Sequence, residues 1–243
     1  MTARSYQLVL SRIEADLAAG LIEVGGRLPG ERVLAERYGV SRPSVREAIR
    51  VLEAMGLIRT AAGSGPEAGA ILISNPAAPI GAALRWHLTS RSLPVADIVG
   101  ARVLVETWAL RKAATRQQTG AVDLHVVRSL LTAMAEPGTD AAAFLALDTR
   151  FHVALAELSG NSVVAAMMSA MRESIESYVM AAVADLDDWE RTATLLRAQH
   201  AAIVEAVHHG DADQAAALVA AHIYGFYAST GVGQLEPARS RKG

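Results

Sequence analysis

The chain has 243 residues, 51% of them hydrophobic and 20% charged, with 25 acidic against 23 basic side chains and no cysteine. At roughly 100–200 residues per domain this makes one large or two ordinary domains, and the lack of cysteine excludes disulfide frameworks, cysteine-based zinc modules and thiol nucleophiles. The N-terminal run lacks the apolar stretch of a signal peptide, no segment approaches the ~18 apolar residues of a membrane span, and a net charge of −2 excludes a uniformly basic nucleic-acid coat but not a small local reading head.

Aromatics make up only 5% of the chain, and alanine, the best helix former, is abundant. The expectation is a mainly α, cytoplasmic protein without membrane contact. Helical spacing predicts a first helix over about 5–19, with Leu8, Ile13 and Leu17 on one face and a stop near Gly20. A short helix over 31–38 follows, with Leu34, Ala35 and Tyr38 at core spacing. Gly39-Val40-Ser41 then makes a tight turn, with Gly39 free to take positive φ. Ser41 is a good N-cap and Pro43 fits the first turn of the next helix, which runs to about Met55. That helix turns Val45, Ala48, Ile49 and Leu52 inward and leaves Arg42, Ser44, Arg46 and Arg50 to solvent.

Two helices joined by a tight turn, the second with arginines near its start, predict helix-turn-helix geometry. Such a helix can enter a major groove, where arginine donates twice to guanine. Arginines 27 to 59 outnumber the glutamates among them, leaving a local excess of three positive charges. Ile58 to Thr60 and Ala70 to Ile73 have the length and composition of two strands that pair as a hairpin wing. Taken alone, the same arginines also fit an ordinary solvated helix face.

Further residues decide between the two. The run Leu28-Pro29-Gly30-Glu31-Arg32, then Leu34-Ala35-Glu36, Tyr38 to Arg42 and Val45 to Ala48, with Leu52 and Gly56-Leu57-Ile58, resembles the winged helix-turn-helix signature of the GntR family of bacterial regulators. The resemblance implies that Arg32, Arg42 and Arg46, with Ser44 beside them, touch DNA. Two departures stand out. Gly30 sits where the family has a small polar cap. The wing segment 61–69 carries no basic residue and one acid, Glu67, so no wing contact carries over.

Asn75-Pro76 and Pro79 read as a turn and a stiff linker. The expected division is a DNA-binding domain over 1–74, a linker over 75–79, an all-helical domain over 80–232 and a disordered tail over 233–243. Helices are predicted at about 80–90, 94–118, 121–135, 140–158, 162–185, 189–209 and 211–230. Short breaks between them make an antiparallel bundle of six or seven helices the economical architecture.

Within that bundle, Asp148 and His152 lie four apart and share a helix face beside Phe151 and Leu155. His200 lies on the inward stripe of Leu196, Ile203 and Val207, and His222 on that of Val219, Ile223 and Phe226. Each histidine alone reads equally as a hydrogen-bonded core residue. Together, three imidazoles and a carboxylate from three helices can meet on a divalent transition metal. His125, His208 and His209 read as surface or helix-end residues, and His87 has no assigned place.

Arg102, Val103 to Glu106, the Asp148/His152 pair, Asn161, His200 and His222 also resemble the ligand-binding FCD domain of the FadR subfamily of GntR regulators. The resemblance implies that Asp148, His152, His200 and His222 hold a metal, with zinc favoured over nickel, iron or manganese. It also implies that Arg102, Glu106 and Asn161 face an effector, for which an arginine fork suits a carboxylate. The function expected is a repressor that binds double-stranded DNA at a pseudo-palindromic operator as a homodimer and responds to a small carboxylate. The alternatives are a metal-dependent hydrolase with Glu106 as general base, and a structural DNA-binding dimer without effector.

Overall fold

The computed structural model describes residues 2–61, 69–186 and 188–232. Among them are ten helices and one two-stranded antiparallel sheet. They form two compact units that divide between Pro79 and Ile80. The expected disordered tail over 233–243 and most of the acidic wing segment lie outside the described residues.

The first unit holds α1 (Thr2–Ala18), α2 (Glu31–Tyr38), α3 (Arg42–Ala54), β1 (Ile58–Ala61) and β2 (Gly69–Leu72). Glycine ends α2 as expected: Gly39 takes φ 66°, the left-handed region that only glycine enters at little cost. Ser41 caps α3, its Oγ accepting from Ser44 N–H at 3.3 Å, with Pro43 in the first turn. Gly30, by contrast, opens α2 without a side-chain cap. Val9, Ile13, Leu34, Val45, Ala48 and Leu52 fill the core, closed by Ile58 and Leu72 of the hairpin.

Two inward assignments differ from expectation. Val9 rather than Leu8 takes the core position of α1, because 9 and 13 are one turn apart while Leu8 is left exposed. Ser44, expected at the surface, is buried, its hydroxyl 2.9 Å from that of Ser41. In the sheet Ile58 pairs with Leu72 and Thr60 with Ala70, while Leu28 N–H donates to Ala70 from the far edge of β2. Gly56 follows α3 at φ 68°, and a Cβ there would lie 2.4 Å from the carbonyl oxygen of Asn75. Both the φ and that contact restrict the position to glycine.

The second unit is all helical. Helix α4 (Ala77–Thr89) begins before the division, so residues 77–79 of the expected linker form a helical turn. Then come α5 (Val95–Gln117), α6 (His125–Met134), α7 (Ala141–Glu157), α8 (Ser162–Ala184), α9 (Trp189–His208) and α10 (Ala212–Thr230). Seven helices match the upper expectation for the bundle. Asp140, Asn161, Asp188 and Asp211 each cap the helix that follows through a side-chain oxygen. Helix α6 starts only at His125, whose N–H is taken by Asp123 Oδ1.

Helix α5 packs along α10, α7 along α8, and α9 against α10. Leu110, Phe144, Phe151, Leu155, Met168 and Val207 form the middle of the core. This packing fixes α5, α7, α8, α9 and α10 around one polar centre. Of the described helices, none is long and apolar enough to cross a membrane.

Candidate functional site

That centre is built from single residues on separate helices. Helix α7 brings Asp148 and His152 one turn apart, α9 brings His200 and α10 brings His222, all inside the bundle. His222 Nε2 lies 3.2 Å from His152 Nε2 and 3.3 Å from His200 Nε2. Asp148 Oδ1 lies 3.1 Å from His200 Nε2 and 3.5 Å from His152 Nε2. Four donor atoms thus face a common point.

The opposite edges of the rings are held from outside. Glu106 of α5 sets Oε2 2.5 Å from His152 Nδ1, and Gln199 sets Oε1 2.9 Å from His222 Nδ1. Acceptors at Nδ1 place the ring proton there and turn the Nε2 lone pair inward. His200 Nδ1 is buried without a hydrogen-bond partner. Arg172 of α8 pairs with Asp148 Oδ2 and donates to Thr149 Oγ1 at 2.9 Å.

Charge in this dry setting is governed by neighbours. Burial opposes ionisation of Asp148, yet Arg172 and His152 hold its carboxyl well below the usual carboxylate range. Burial likewise opposes ionisation of Glu106, which Arg102 and His152 nevertheless bring down to about 2. Burial would lower His152, but Glu106 and Asp148 raise it. Burial lowers His200, and burial together with His152 and His200 pushes His222 well below its ordinary value. Two neutral imidazoles and an ionised carboxylate are therefore available as ligands.

The donor spacing fits a metal. Ligands at ~2.0–2.2 Å from a tetrahedral zinc stand about 3.3–3.6 Å from one another, and imidazole and carboxylate are among its preferred partners. The Nε2 atoms of His200 and His222 lie 3.3 Å apart, and with both imidazoles neutral and protonated at Nδ1 their lone pairs face each other. A cation at the centre relieves that repulsion, and the outer partners on Nδ1 are those a ligating histidine uses. The four residues could hold a divalent transition metal ion.

Next to the cluster lies a small cavity lined by Arg102, Asp148, Arg172, His222, Phe226 and Tyr227, among others. Its room, about 10 Å³, is one water's worth. Arg102 is 1% exposed and donates through Nε to Glu106 at 2.9 Å and through Nη1 to Tyr227 Oη at 2.6 Å. Its Nη2 sits 2.8 Å from the same Glu106 oxygen, but without the alignment of a hydrogen bond. Nη2 is thus ion-paired with Glu106 yet has no aligned hydrogen-bond acceptor of its own. Asn161 stands apart: it is exposed, and its Oδ1 accepts from Val163 and Val164 N–H to open α8. Gln199, Arg172 and Tyr227 join the centre without having been expected from the sequence.

In the first unit, Arg32, Arg42 and Arg46 are all well exposed. They are not free. Arg32 donates to Glu36 one turn on. Arg46 makes two hydrogen bonds to Glu31, and Arg42 approaches the same carboxylate at 3.8 Å. Those bonds draw Glu31 below its ordinary pKa. Ser44, buried beneath them, supports the Ser41 cap.

Comparison with known proteins bears on both units. Residues 5–67 match the model of the gntR family of bacterial regulatory proteins, and residues 97–225 match that of the FCD domain. The transcriptional repressor NanR of Edwardsiella tarda is 30% identical over 209 residues, covering 84% of this chain and 77% of NanR. The Glc operon transcriptional activator of Escherichia coli strain K12 is 28% identical over 205 residues, covering 83% of this chain and 79% of the activator. Among solved structures, a Streptococcus agalactiae GntR protein superposes with a TM-score of 0.66 at 23% identity, covering 92% of this chain and 99% of that one. This last likeness concerns the fold.

Proposed function

This chain belongs to the gntR family of bacterial regulatory proteins and carries an FCD domain, and we propose that it is a homodimeric repressor whose C-terminal domain senses a small carboxylate at a metal held by Asp148, His152, His200 and His222. That it is a transcription regulator and not an enzyme follows from the family itself, which leaves the hydrolase reading without support. Its relatives include a named repressor and a named activator. Repression is the reading adopted for this chain, with the acid releasing the operator in the cytoplasm.

A single observation carries the sensing part: the convergence of three Nε2 atoms and one carboxylate oxygen beside a buried arginine whose Nη2, though ion-paired with Glu106, has no aligned hydrogen-bond acceptor. Three nitrogens and one oxygen suit zinc first, with nickel, iron and manganese as alternatives. A bound metal would supply a fixed positive charge and, on expanding beyond its four protein ligands, a position for a carboxylate. Arg102 would grip the acid's other end through its fork, and Tyr227 would line the same space. Arg42 and Arg46 would read base edges or phosphates and Arg32 phosphate. Two heads on one pseudo-palindrome supply the specificity that one small head lacks.

The test is direct. Protein purified without chelator is analysed for metal and for released small acids by mass spectrometry, then titrated against operator-bearing DNA in gel shifts. Stoichiometric metal, and an acid whose addition frees the DNA, support the proposal. Protein that carries no metal and takes up none on dialysis against zinc overturns the metal site. Tighter operator binding on adding the acid overturns the repressor reading.

A further inference from the structure

Arg172 stands between two hollows. On its inner side is the cavity it shares with Asp148, His222 and Tyr227. On its outer side runs a cleft between α7 and α8 whose lip includes the exposed Ala142, Ala146, Glu176 and Met180. Leu145, Ile175 and Val179 make its buried apolar floor. Arg172 itself is 5% exposed and forms part of the wall of both.

A site as deeply buried as the four-residue cluster needs a way in. Ions and acids do not pass through close-packed apolar side chains, so exchange needs a polar path or a local opening. An arginine can move aside by changing rotamer while its helix stays in place. Arg172 is held in the closed position by few bonds: its pair with Asp148 Oδ2 and its 2.9 Å hydrogen bond to Thr149 Oγ1. Thr149 lines the outer cleft, so the bond to it is one of the two that must break before the guanidinium leaves the wall of the cleft.

We propose that the α7/α8 cleft is the access route to the buried site and that Arg172 is its gate, latched by Thr149. The proposal rests on the metal reading above. Because the lip lies outside the ligand cluster, altering it at Ala142 or Ala146 changes how fast a ligand enters and leaves, and leaves the equilibrium alone. Phe226, half-buried in the cavity wall, marks the rival way in.

Cobalt(II) is the probe, since its absorbance reports ligation while it enters. Metal-free full-length protein is mixed with cobalt in stopped flow, and release is followed with excess chelator. Ala146→Phe, which lays a ring across the lip, should slow uptake and release by about tenfold each, an added barrier of ~1.4 kcal/mol, with the dissociation constant unchanged. Thr149→Val removes the latch hydroxyl and should speed both. If Ala146→Phe lowers helicity by circular dichroism, Ala142→Phe provides the same obstruction. Unchanged rates in these variants overturn the gate, as does acceleration by Phe226→Ala alone. A wild-type protein that binds no cobalt at equilibrium overturns the metal reading and the gate together. Normal equilibrium binding with unaltered kinetics removes the gate only.

Discussion

Glu31 accepts two hydrogen bonds from Arg46, at 3.0 Å from Nε and 2.8 Å from Nη2. An acid from the first turn of α2 therefore orients the arginine that the start of α3 presents, and it offsets charge on the face proposed to meet DNA. Arg46→Ala should weaken operator binding by about 1–3 kcal/mol without unfolding the head, since the side chain lies outside the core. Glu31→Gln should act oppositely on random DNA: tighter binding, and a salt dependence steeper by about 0.9 in log–log slope for one more engaged phosphate. Fluorescence anisotropy at several salt concentrations measures both. An unchanged slope would mean that Glu31 does not restrain the head.

The proposed metal site makes its own prediction. His152→Ala, His200→Ala and His222→Ala should each lose stoichiometric metal on dialysis while still binding DNA. Added zinc should raise the thermal midpoint of the wild type by mass action, worth about 2.7 kcal/mol at a hundredfold excess over the dissociation constant. In the three variants the shift should shrink or vanish. Glu106→Gln, which keeps the bond to His152 but not its charge, should lower metal affinity by about 10–100-fold. Two histidine variants that retain full metal would show the ligand set to be wrong.

Arg102 is the counter-charge of a buried carboxylate, so deleting it would strip Glu106 of its partner at a cost of about 3–5 kcal/mol. Arg102→Lys is the sharper variant, since it keeps the charge and removes the fork. Operator and metal binding should match the wild type, while the acid that frees wild-type DNA should bind at least about tenfold more weakly, ~1.4 kcal/mol. Calorimetry beside a gel shift reads both. Wild-type affinity for the acid would remove Arg102 from the effector grip.

The head also carries a group with an alkaline signature. Tyr38 Oη donates to Asp16 Oδ2 at 2.6 Å, and burial with the nearby Asp16 raises its pKa to about 12. A raised folded value means the protonated form is favoured by folding. The contribution is complete below pH ~10, the unfolded value, and is lost as pH climbs to about 12. Ultraviolet titration should show one late-ionising tyrosine that Tyr38→Phe abolishes, and chemical denaturation should show the variant losing its stability difference over the same window. A tyrosine titrating at its ordinary value would contradict the Asp16 bond.

Much of this molecule is written in local signals. Gly39, Ser41 and Pro43 announce the turn and start of α3, and the aspartates at 140, 188 and 211 announce three helix starts. The cluster residues could be read because each sits on an inward apolar stripe. Arg172 obeys the same rule on the stripe Met168, Arg172, Ile175, Val179, but a charged residue on a helix is ordinarily read as exposed. Tyr227 continues the inward stripe of Val219 and Ile223 and so reads as ordinary core, while Gln199 carries no pattern; the roles of both depend on which helices face each other. The Glu31–Arg46 pairing likewise depends on how α2 and α3 cross. Leu8 misleads because adjacent positions on α1 are both apolar and only packing chooses Val9.

The cavity beside Arg102 has room for about one water, some 10 Å³. On the proposed function, an organic acid would have to bind a looser form of the bundle, populated only as a fraction of the whole. Its apparent affinity is the intrinsic affinity reduced by that fraction. The concentration at which the regulator responds is then set as much by Leu196, Ile223 and Phe226, which close the space, as by the groups that touch the acid. Trimming one of these apolar side chains would lower the response threshold without altering chemical selectivity. Sensitivity and specificity can thus drift independently in this domain.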